Sequence, residues 1–193
     1  MNKTPPTTEI EIWQRFKSGD EEAFGQIYQQ YVGILYNYGY HITTDSFLVQ
    51  DAIQDLFVDL WRMRQNLSDT TSIKFYLFRA LRRKLHRLVE SEQIFIELTQ
   101  NPLFSSPAYE SIQIANEEST ERLLHLQSYL QTLPPRQFEV IRLRFFEEFS
   151  FDQIAGIMDM NEQSVRNLIQ RAILKLRTQF KALVSIVLIL FFF

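Results

Sequence analysis

A short apolar helix, a tight turn and a longer helix follow one another late in the chain, and this order constrains the fold more than any other feature. Ser150 is a good N-cap for a helix over 151–158. Asp159-Met160-Asn161 supplies a three-residue turn, in which Asp159 tolerates the left-handed conformation that glycine usually provides. Asn161 can then cap a longer helix from Glu162. The succession predicts a helix-turn-helix.

The longer helix is predicted to have an inner and an outer face. The spacing of its apolar residues predicts that the following side chains face inward: Val165, Leu168, Ile169, Ala172, Ile173 and Leu176. Its outer face begins with Arg, Asn and Gln, which make bidentate contacts to guanine or adenine edges in the major groove. The candidate duplex-binding residues are Gln163, Ser164, Arg166, Asn167, Gln170 and Arg171. Any exposed helix face can carry such residues, but the turn before this helix favours DNA binding.

Charge is distributed unevenly along the chain, although the net charge is only −3. The segment 62–87 holds eight Lys or Arg and one acid, and 162–181 holds five Lys or Arg and one acid. Between them, 90–121 carries seven Glu and no Lys or Arg. This order indicates two polyanion-binding modules joined by a tether of different function. The alternative is chance clustering on solvated helix faces.

The chain is predicted to be all-α, with two small helical domains joined by an acidic linker, the second being a helix-turn-helix domain. It contains only five glycines, and no Asn-Gly or Asp-Gly pair separates alternating apolar runs, so the β-hairpin signal is missing. We divide the chain into a disordered N-terminus (1–8), a first helical domain (9–91), the acidic linker (92–119), the helix-turn-helix domain (120–181) and a hydrophobic C-terminal tail (182–193).

Two helices of the first domain carry opposite charge. Residues 51–61 place apolar side chains at helical spacing and, on the other side, three carboxylates: Asp51, Asp55 and Asp59. Like charges at this spacing repel, so we expect a basic partner or a merely solvated face. The segment 73–89 has an apolar stripe of Leu77, Phe78, Leu81, Leu85 and Leu88, and a basic stripe of Arg79, Arg82, Arg83, His86 and Arg87. A polyanion would screen the repulsion within the basic stripe.

Two aromatic residues, Phe75 and Tyr76, stand just before the basic stripe. They suit stacking on unpaired bases, although core packing is the commoner use of such residues.

No residue pattern indicates an enzyme, which is the weakest alternative. Cysteine is absent, the three histidines are far apart, and neither a Gly-rich phosphate loop nor a nucleophile constellation appears. We therefore expect no catalytic residue, no metal and no cofactor. The start of the chain lacks the basic-then-apolar pattern of a secretory signal, which predicts a cytoplasmic location.

Both helical blocks resemble the extracytoplasmic-function sigma factors of the bacterial sigma-70 family. GDEEAFGQIYQQY (19–31) looks like the start of their region-two domain, and DAIQDLFVDLW (51–61) is similar to the helix that docks on the clamp coiled coil of the polymerase β′ subunit. Residues 76–89 resemble the helix that opens and reads the −10 element. Residues 133–177 resemble the region-four domain, which binds the −35 element and the β flap.

The resemblance implies an alternative sigma factor that binds RNA polymerase core and directs promoter-specific initiation at the nucleoid. It implies core binding through Asp51, Gln54, Asp55 and Asp59. It implies −10 binding through Lys74, Tyr76, Arg79, Arg82, Arg83, His86 and Arg87, and −35 binding through the six residues of the longer helix. The implied partners are polymerase core and promoter DNA, with an anti-sigma factor or another regulator left open.

Two further features of the family bear on this chain. The resemblance implies that the linker threads through the polymerase toward the RNA exit channel. The family often has Asn where this chain has Arg83, which leaves the base preference at −10 open.

The tail ALVSIVLILFFF (182–193) is apolar except for Ser185 and too short to span a bilayer as a helix. Three interpretations stay open: packing on its own domain, docking on a partner or a membrane surface, and a degradation signal.

A rival for the whole chain is a dimeric helix-turn-helix regulator that works without polymerase. It would account for the second domain, but not for the acidic helix or the linker.

Overall fold

The computed structural model describes residues 8–99, 130 and 132–192, with side chains described for 8–90, 130 and 132–178. Every regular element in these ranges is a helix, which confirms the all-α prediction. The chain forms two compact units, Met1–Ala108 and Tyr109–Phe193. The predicted disordered start, apart from Thr8, and the linker stretch 100–119 lie outside the described residues.

Four helices build the first unit: α1 (Glu9–Lys17), α2 (Glu21–Gly39), α3 (Ser46–Met63) and α4 (Ile73–Thr99), with a 3-10 turn, Arg64–Asn66, after α3. The first three begin at side chains that accept hydrogen bonds from backbone N–H groups of the first turn, namely Thr8, Asp20 and Asp45. These caps satisfy donors that a helix start leaves without an intrahelical partner, so the starts follow from local sequence.

The core of the first unit contains the predicted apolar stripes of α3 and α4. Trp13 and Phe16 of α1 are fully buried, and the Trp13 indole N–H donates to the Ser68 carbonyl oxygen at 3.1 Å. The Trp13 ring lies 5.2 Å from the Tyr76 ring, measured between centroids. The buried stripe residues are Ile53, Leu56, Phe57 and Leu60 of α3 and Leu77, Phe78, Leu81 and Leu85 of α4.

Helix α4 continues to Thr99, beyond the domain end predicted at Ser91. The first helix-breaking residue after that point is Pro102, and the residues before it include the good helix formers Glu, Gln and Leu. The segment predicted to start the linker at residue 92 therefore begins as a continuation of α4.

Glu9 joins three helices of the first unit, which the sequence did not indicate. Its Oε1 accepts a hydrogen bond from the Tyr31 hydroxyl of α2 at 2.5 Å, and its Oε2 accepts one from the backbone N–H of Ile73 at 3.1 Å. Ile73 is the first residue of α4, so a carboxylate from α1 caps that helix from a distance. Burial, and then the hydrogen bond to Glu9, raise the pKa of Tyr31 far above its ordinary value.

We expect the stability of the first unit to fall as pH rises above about 10, the ordinary pKa of tyrosine. Because the folded-state pKa of Tyr31 is raised, the neutral hydroxyl favours the folded state below pH 10, and that contribution is lost above it. Urea unfolding between pH 8 and 11 measures this. Tyr31→Phe should cost about 1 kcal/mol at pH 8 and flatten the decline. Tyr28→Phe, at an exposed position, is the control; an equal flattening in both variants would contradict the assignment.

The second unit contains α5 (Pro135–Ile141), a π-helical segment (Arg142–Phe146), α6 (Phe151–Met158) and α7 (Glu162–Phe192). Its core includes Val140, Leu143, Ile154, Ile157, Val165, Ile169 and Ala172. One predicted inward residue of α7 differs: Ile173 is 45% exposed, because the side chains of α7 that contact the domain here are those of Ile169 and Ala172. Leu168 and Leu176 are partly buried.

Candidate nucleic-acid and polymerase-binding surfaces

The helix-turn-helix forms as its local sequence predicts. Ser150 and Gln153 make a reciprocal capping box at the start of α6, and α6 ends at Met158. Asp159 has φ 54° and ψ 54°, the left-handed conformation expected of it. The Asn161 side-chain oxygen accepts from the Ser164 backbone N–H at 2.8 Å and so caps α7. The three predictions about this turn are confirmed.

The outer face of α7 presents five of its six predicted duplex-binding residues to solvent: Gln163, Arg166, Asn167, Gln170 and Arg171. The sixth, Ser164, is partly buried. The Gln163 amide donates to the Asn167 side-chain oxygen at 3.1 Å, which orients the Asn167 amide. Arg166 donates to the Glu162 carboxylate at 3.3 Å, one turn earlier. The start of α7 thus carries an ordered row of amide and guanidinium groups.

Phe151 is a residue of this surface that sequence reasoning missed. Its ring lies 4.1 Å from the Arg166 guanidinium carbon and 5.0 Å from that of Arg144, measured to the ring centroid. Arg144 also donates to the Phe149 carbonyl oxygen at 2.9 Å. Such cation–π contacts hold the two guanidinium groups beside the start of α7. The signal in the sequence that could have indicated this role is the aromatic residue directly after the N-cap of α6.

The acidic face of α3 divides into two parts. Lys84 of α4 donates to Asp55 at 3.1 Å and to Asp59 at 3.0 Å, and its side chain is only 15% exposed. The basic partner expected for this face therefore exists within the chain for these two carboxylates. Asp51 and Gln54 are exposed and form no ion pair or side-chain hydrogen bond among the residues that the structure describes.

A groove between α2 and α3 adjoins the free part of the acidic face. Its volume is about 510 Å³, and Gln54 lines it together with Tyr28, Tyr36, Gln50 and Ile53. The exposed Tyr28 ring and the Gln54 amide place an apolar and a polar contact next to each other. This combination suits a protein partner.

The basic stripe of α4 is only partly exposed. Arg79, Arg83 and Arg87 face solvent, whereas Lys74, Tyr76 and His86 are partly buried. Arg82 departs from the predicted stripe because it is only 7% exposed. It lies four residues after Phe78 and three before Leu85, so the core face of α4 includes it. Burial makes Arg82 unsuited to contact DNA, unlike the exposed residues of the stripe.

A cavity of about 310 Å³ brings part of this stripe together with the loop before α4. Phe75, Tyr76, Arg79 and Arg83 line it from α4, and Ser68–Thr70 line it from the loop. A hydrogen bond from Lys17 and, as the next largest cause, one from Gln14 lower the pKa of the Asp69 carboxyl. A negatively charged carboxylate therefore lies at this cavity. Neither His86 nor Arg87 lines it.

Comparison with known proteins finds a family match in each of the two units. A model for sigma-70 region 2 matches residues 27–94, and a model for sigma-70 region 4 matches residues 123–176. Together they match more than half of the chain. The chain therefore belongs to the sigma-70 family. The predicted family and the class of function, an alternative sigma factor of transcription initiation, are confirmed.

Two curated relatives are extracytoplasmic-function (ECF) sigma factors, which supports the predicted group within the family. The chain is 24% identical over 168 residues to the ECF RNA polymerase sigma factor BldN of Streptomyces coelicolor, a match that covers 85% of this chain and 62% of BldN. It is 25% identical over 166 residues to the ECF RNA polymerase sigma factor SigM of Bacillus subtilis, covering 82% of this chain and 93% of SigM.

Two solved structures share the fold. The sigma factor RpoE, in complex with the anti-sigma factor NepR from Bartonella quintana, matches with a TM-score of 0.67 and 19% identity over 83% of this chain and 98% of that one. CnrH, in complex with the cytosolic domain of CnrY, matches with a TM-score of 0.59 and 22% identity over 89% of this chain and 96% of that one.

Proposed function

We propose that this chain binds RNA polymerase core through its first unit, captures melted −10 DNA on α4 and reads −35 duplex with the start of α7. The observation that carries the proposal is the ordered face of α7, where Arg166 is held over Phe151 beside the exposed Asn167, Gln170 and Arg171. The protein acts as an initiation factor without chemistry of its own, in the cytoplasm at the nucleoid.

The −35 contact uses the major groove. An α-helix fits that groove, and Arg and Asn or Gln discriminate guanine and adenine there by paired hydrogen bonds. Contacts with Glu162 and Phe151 already restrict the Arg166 side chain, so it loses less conformational entropy when it binds DNA. Arg144 contacts the same ring, and we assign it to a neighbouring phosphate.

The −10 contact uses the cavity between α4 and the loop before it. An unstacked base needs an aromatic surface and a polar wall, and here Phe75 and Tyr76 supply the first while Arg79 and Arg83 supply the second. Arg87 is exposed further along α4 and suits the backbone of the same strand. Lys74 and His86 are partly buried, and we assign them a supporting role.

The polymerase contact uses Asp51, Gln54 and the groove beside them. Of the predicted core-binding residues these two have no described partner, whereas Asp55 and Asp59 are held by Lys84. A basic coiled coil of β′ would meet Asp51 first and compete with Lys84 for the other two carboxylates. The second unit offers Phe145 and Phe146, which are 58% and 56% exposed, as the apolar contact for the β flap.

We also propose a regulatory protein that binds the chain and covers its polymerase-binding surface or one of its DNA-binding surfaces. RpoE and CnrH were solved in complex with NepR and with the cytosolic domain of CnrY, respectively. By analogy with the anti-sigma complex of RpoE, we propose an anti-sigma factor for this chain.

Pull-down of purified polymerase core, followed by transcription in vitro from DNA selected by the reconstituted holoenzyme, tests the proposal. Core binding with promoter-specific transcripts is the expected result. Duplex binding by a stable homodimer, with no core binding, would instead establish the polymerase-independent regulator.

We expect Arg83→Ala to weaken capture of melted DNA and to change the base preference at one −10 position. Arg83 lines the cavity, so its loss should cost about 1–3 kcal/mol for the preferred base and less for the others. Permanganate footprinting and transcription from promoters varied at each −10 position measure this.

Arg87→Ala is the matched control for Arg83→Ala. It removes the same charge from the same helix but lies outside the cavity, so its effect should be equal for all bases. The same base profile in both variants would contradict the cavity assignment.

A further inference from the structure

The backbone of helix α7 continues well beyond the last of its described buried residues. Val165, Ile169 and Ala172 are the buried residues by which it joins its domain. By Arg177 and Thr178 the described side chains are exposed, and the helical backbone continues to Phe192. The apolar stretch therefore continues the same helix beyond the last described side chains.

The sequence of that stretch is apolar on all sides. A helix that lies in a groove of a protein keeps a polar face for solvent, but 182–192 offers only Ser185 among apolar residues. At 1.5 Å per residue its length is about 16 Å, close to half of the ~30 Å hydrocarbon core. Within the described part of the chain no helix has the length and hydropathy needed to cross a membrane.

The charge around the stretch suits an anionic surface. After Glu162 the chain contains no acid, and it contains five Lys or Arg before the apolar stretch. Arg177 is exposed, and Lys181 directly precedes Ala182. Cations at the start of an apolar segment bind anionic headgroups while the segment enters the acyl region.

We propose that residues 182–193 insert into one leaflet of an anionic lipid bilayer, with Arg177 and Lys181 at the level of the headgroups. The proposal is separable from the function proposed above, since the residues that it places in the bilayer and at the headgroups belong neither to the acidic face of α3 nor to the six duplex-binding residues. It adds a lipid surface to the partners of the chain and gives a location from which the factor could be released.

Vesicle flotation tests the proposal, because protein aggregates sink in a density gradient while lipid-bound protein rises. The full chain should float with vesicles of phosphatidylcholine and phosphatidylglycerol, and much less with phosphatidylcholine alone. Val187→Asp/Leu190→Asp should lower the partition into anionic vesicles about tenfold or more.

The control is Ile10→Asp/Phe47→Asp, which makes the same apolar-to-acid change at two exposed positions of the first unit. It should float as the unchanged chain does, and circular dichroism should show that both variants are folded. Flotation that is absent for the unchanged chain, or equal in the tail variant and the control, would overturn the proposal and leave packing within the protein as the role of the tail.

Discussion

Asp51→Lys/Gln54→Lys will weaken binding to RNA polymerase core by about a hundredfold or more, while the first unit stays folded. Both side chains are exposed and lack described partners, so the exchange breaks no ion pair or side-chain hydrogen bond among the described residues. Placing two ammonium groups against a basic coiled coil costs several kcal/mol through like-charge repulsion and the lost hydrogen bonds. Titration of labelled core with the variant measures the change.

The control for this reversal is Glu21→Lys/Gln65→Lys, which changes the charge by the same amount at exposed positions away from the groove. It should bind core as the unchanged chain does. If both variants lose affinity equally, the acidic face of α3 is not the docking site and only net charge matters.

A substitution of Lys84 tests the same polymerase-binding surface in a second way. Lys84→Met frees Asp55 and Asp59 from their internal partner, at a stability cost of about 1 kcal/mol or less because both carboxylates are half exposed. If β′ competes with Lys84, this variant should bind core as tightly as the unchanged chain or more tightly. Weaker binding would show that Lys84 must hold the carboxylates in place.

Arg166→Ala will lower affinity for the selected −35 duplex by about ten- to a hundredfold, with core binding unchanged. A bidentate contact from Arg to guanine accounts for about 1–3 kcal/mol of discrimination. Arg177→Ala removes the same charge from an exposed position further along α7 and should reduce affinity for all sequences slightly. Holoenzyme binding to selected and scrambled duplexes, over a range of salt, separates the two effects.

Phe151→Leu tests how far the ring positions Arg166. The leucine keeps an apolar residue at the start of α6 but removes the cation–π contact at 4.1 Å, so specific affinity should fall about three- to tenfold. Combined with Arg166→Ala, it should add little, because the two residues act as one unit. Fully additive losses would mean that Phe151 acts through Arg144 or through the fold and not through Arg166.

The helix-turn-helix could be predicted closely because the contacts that define it are local. The capping box of Ser150 and Gln153, the left-handed Asp159 and the Asn161 cap each involve residues within four positions of one another. Hydrogen bonds at this range depend mainly on residue type and spacing, and both can be read from a sequence. The buried stripes of α3 and α4 were predictable for the same reason.

What the sequence by itself determined is the all-α class, the helix-turn-helix with its caps, the apolar and charged stripes of α3 and α4, and the residues available for recognition. The tertiary structure decided which of those residues are exposed and which are already paired or buried within the protein. Lys84 reaches Asp55 and Asp59 across 29 and 25 residues, and Glu9 caps α4 across 64. Arg82 enters the core although its neighbours on the basic stripe do not. Charge pairing and burial depend on which helix faces meet, and helical periodicity does not specify which partner a face will have.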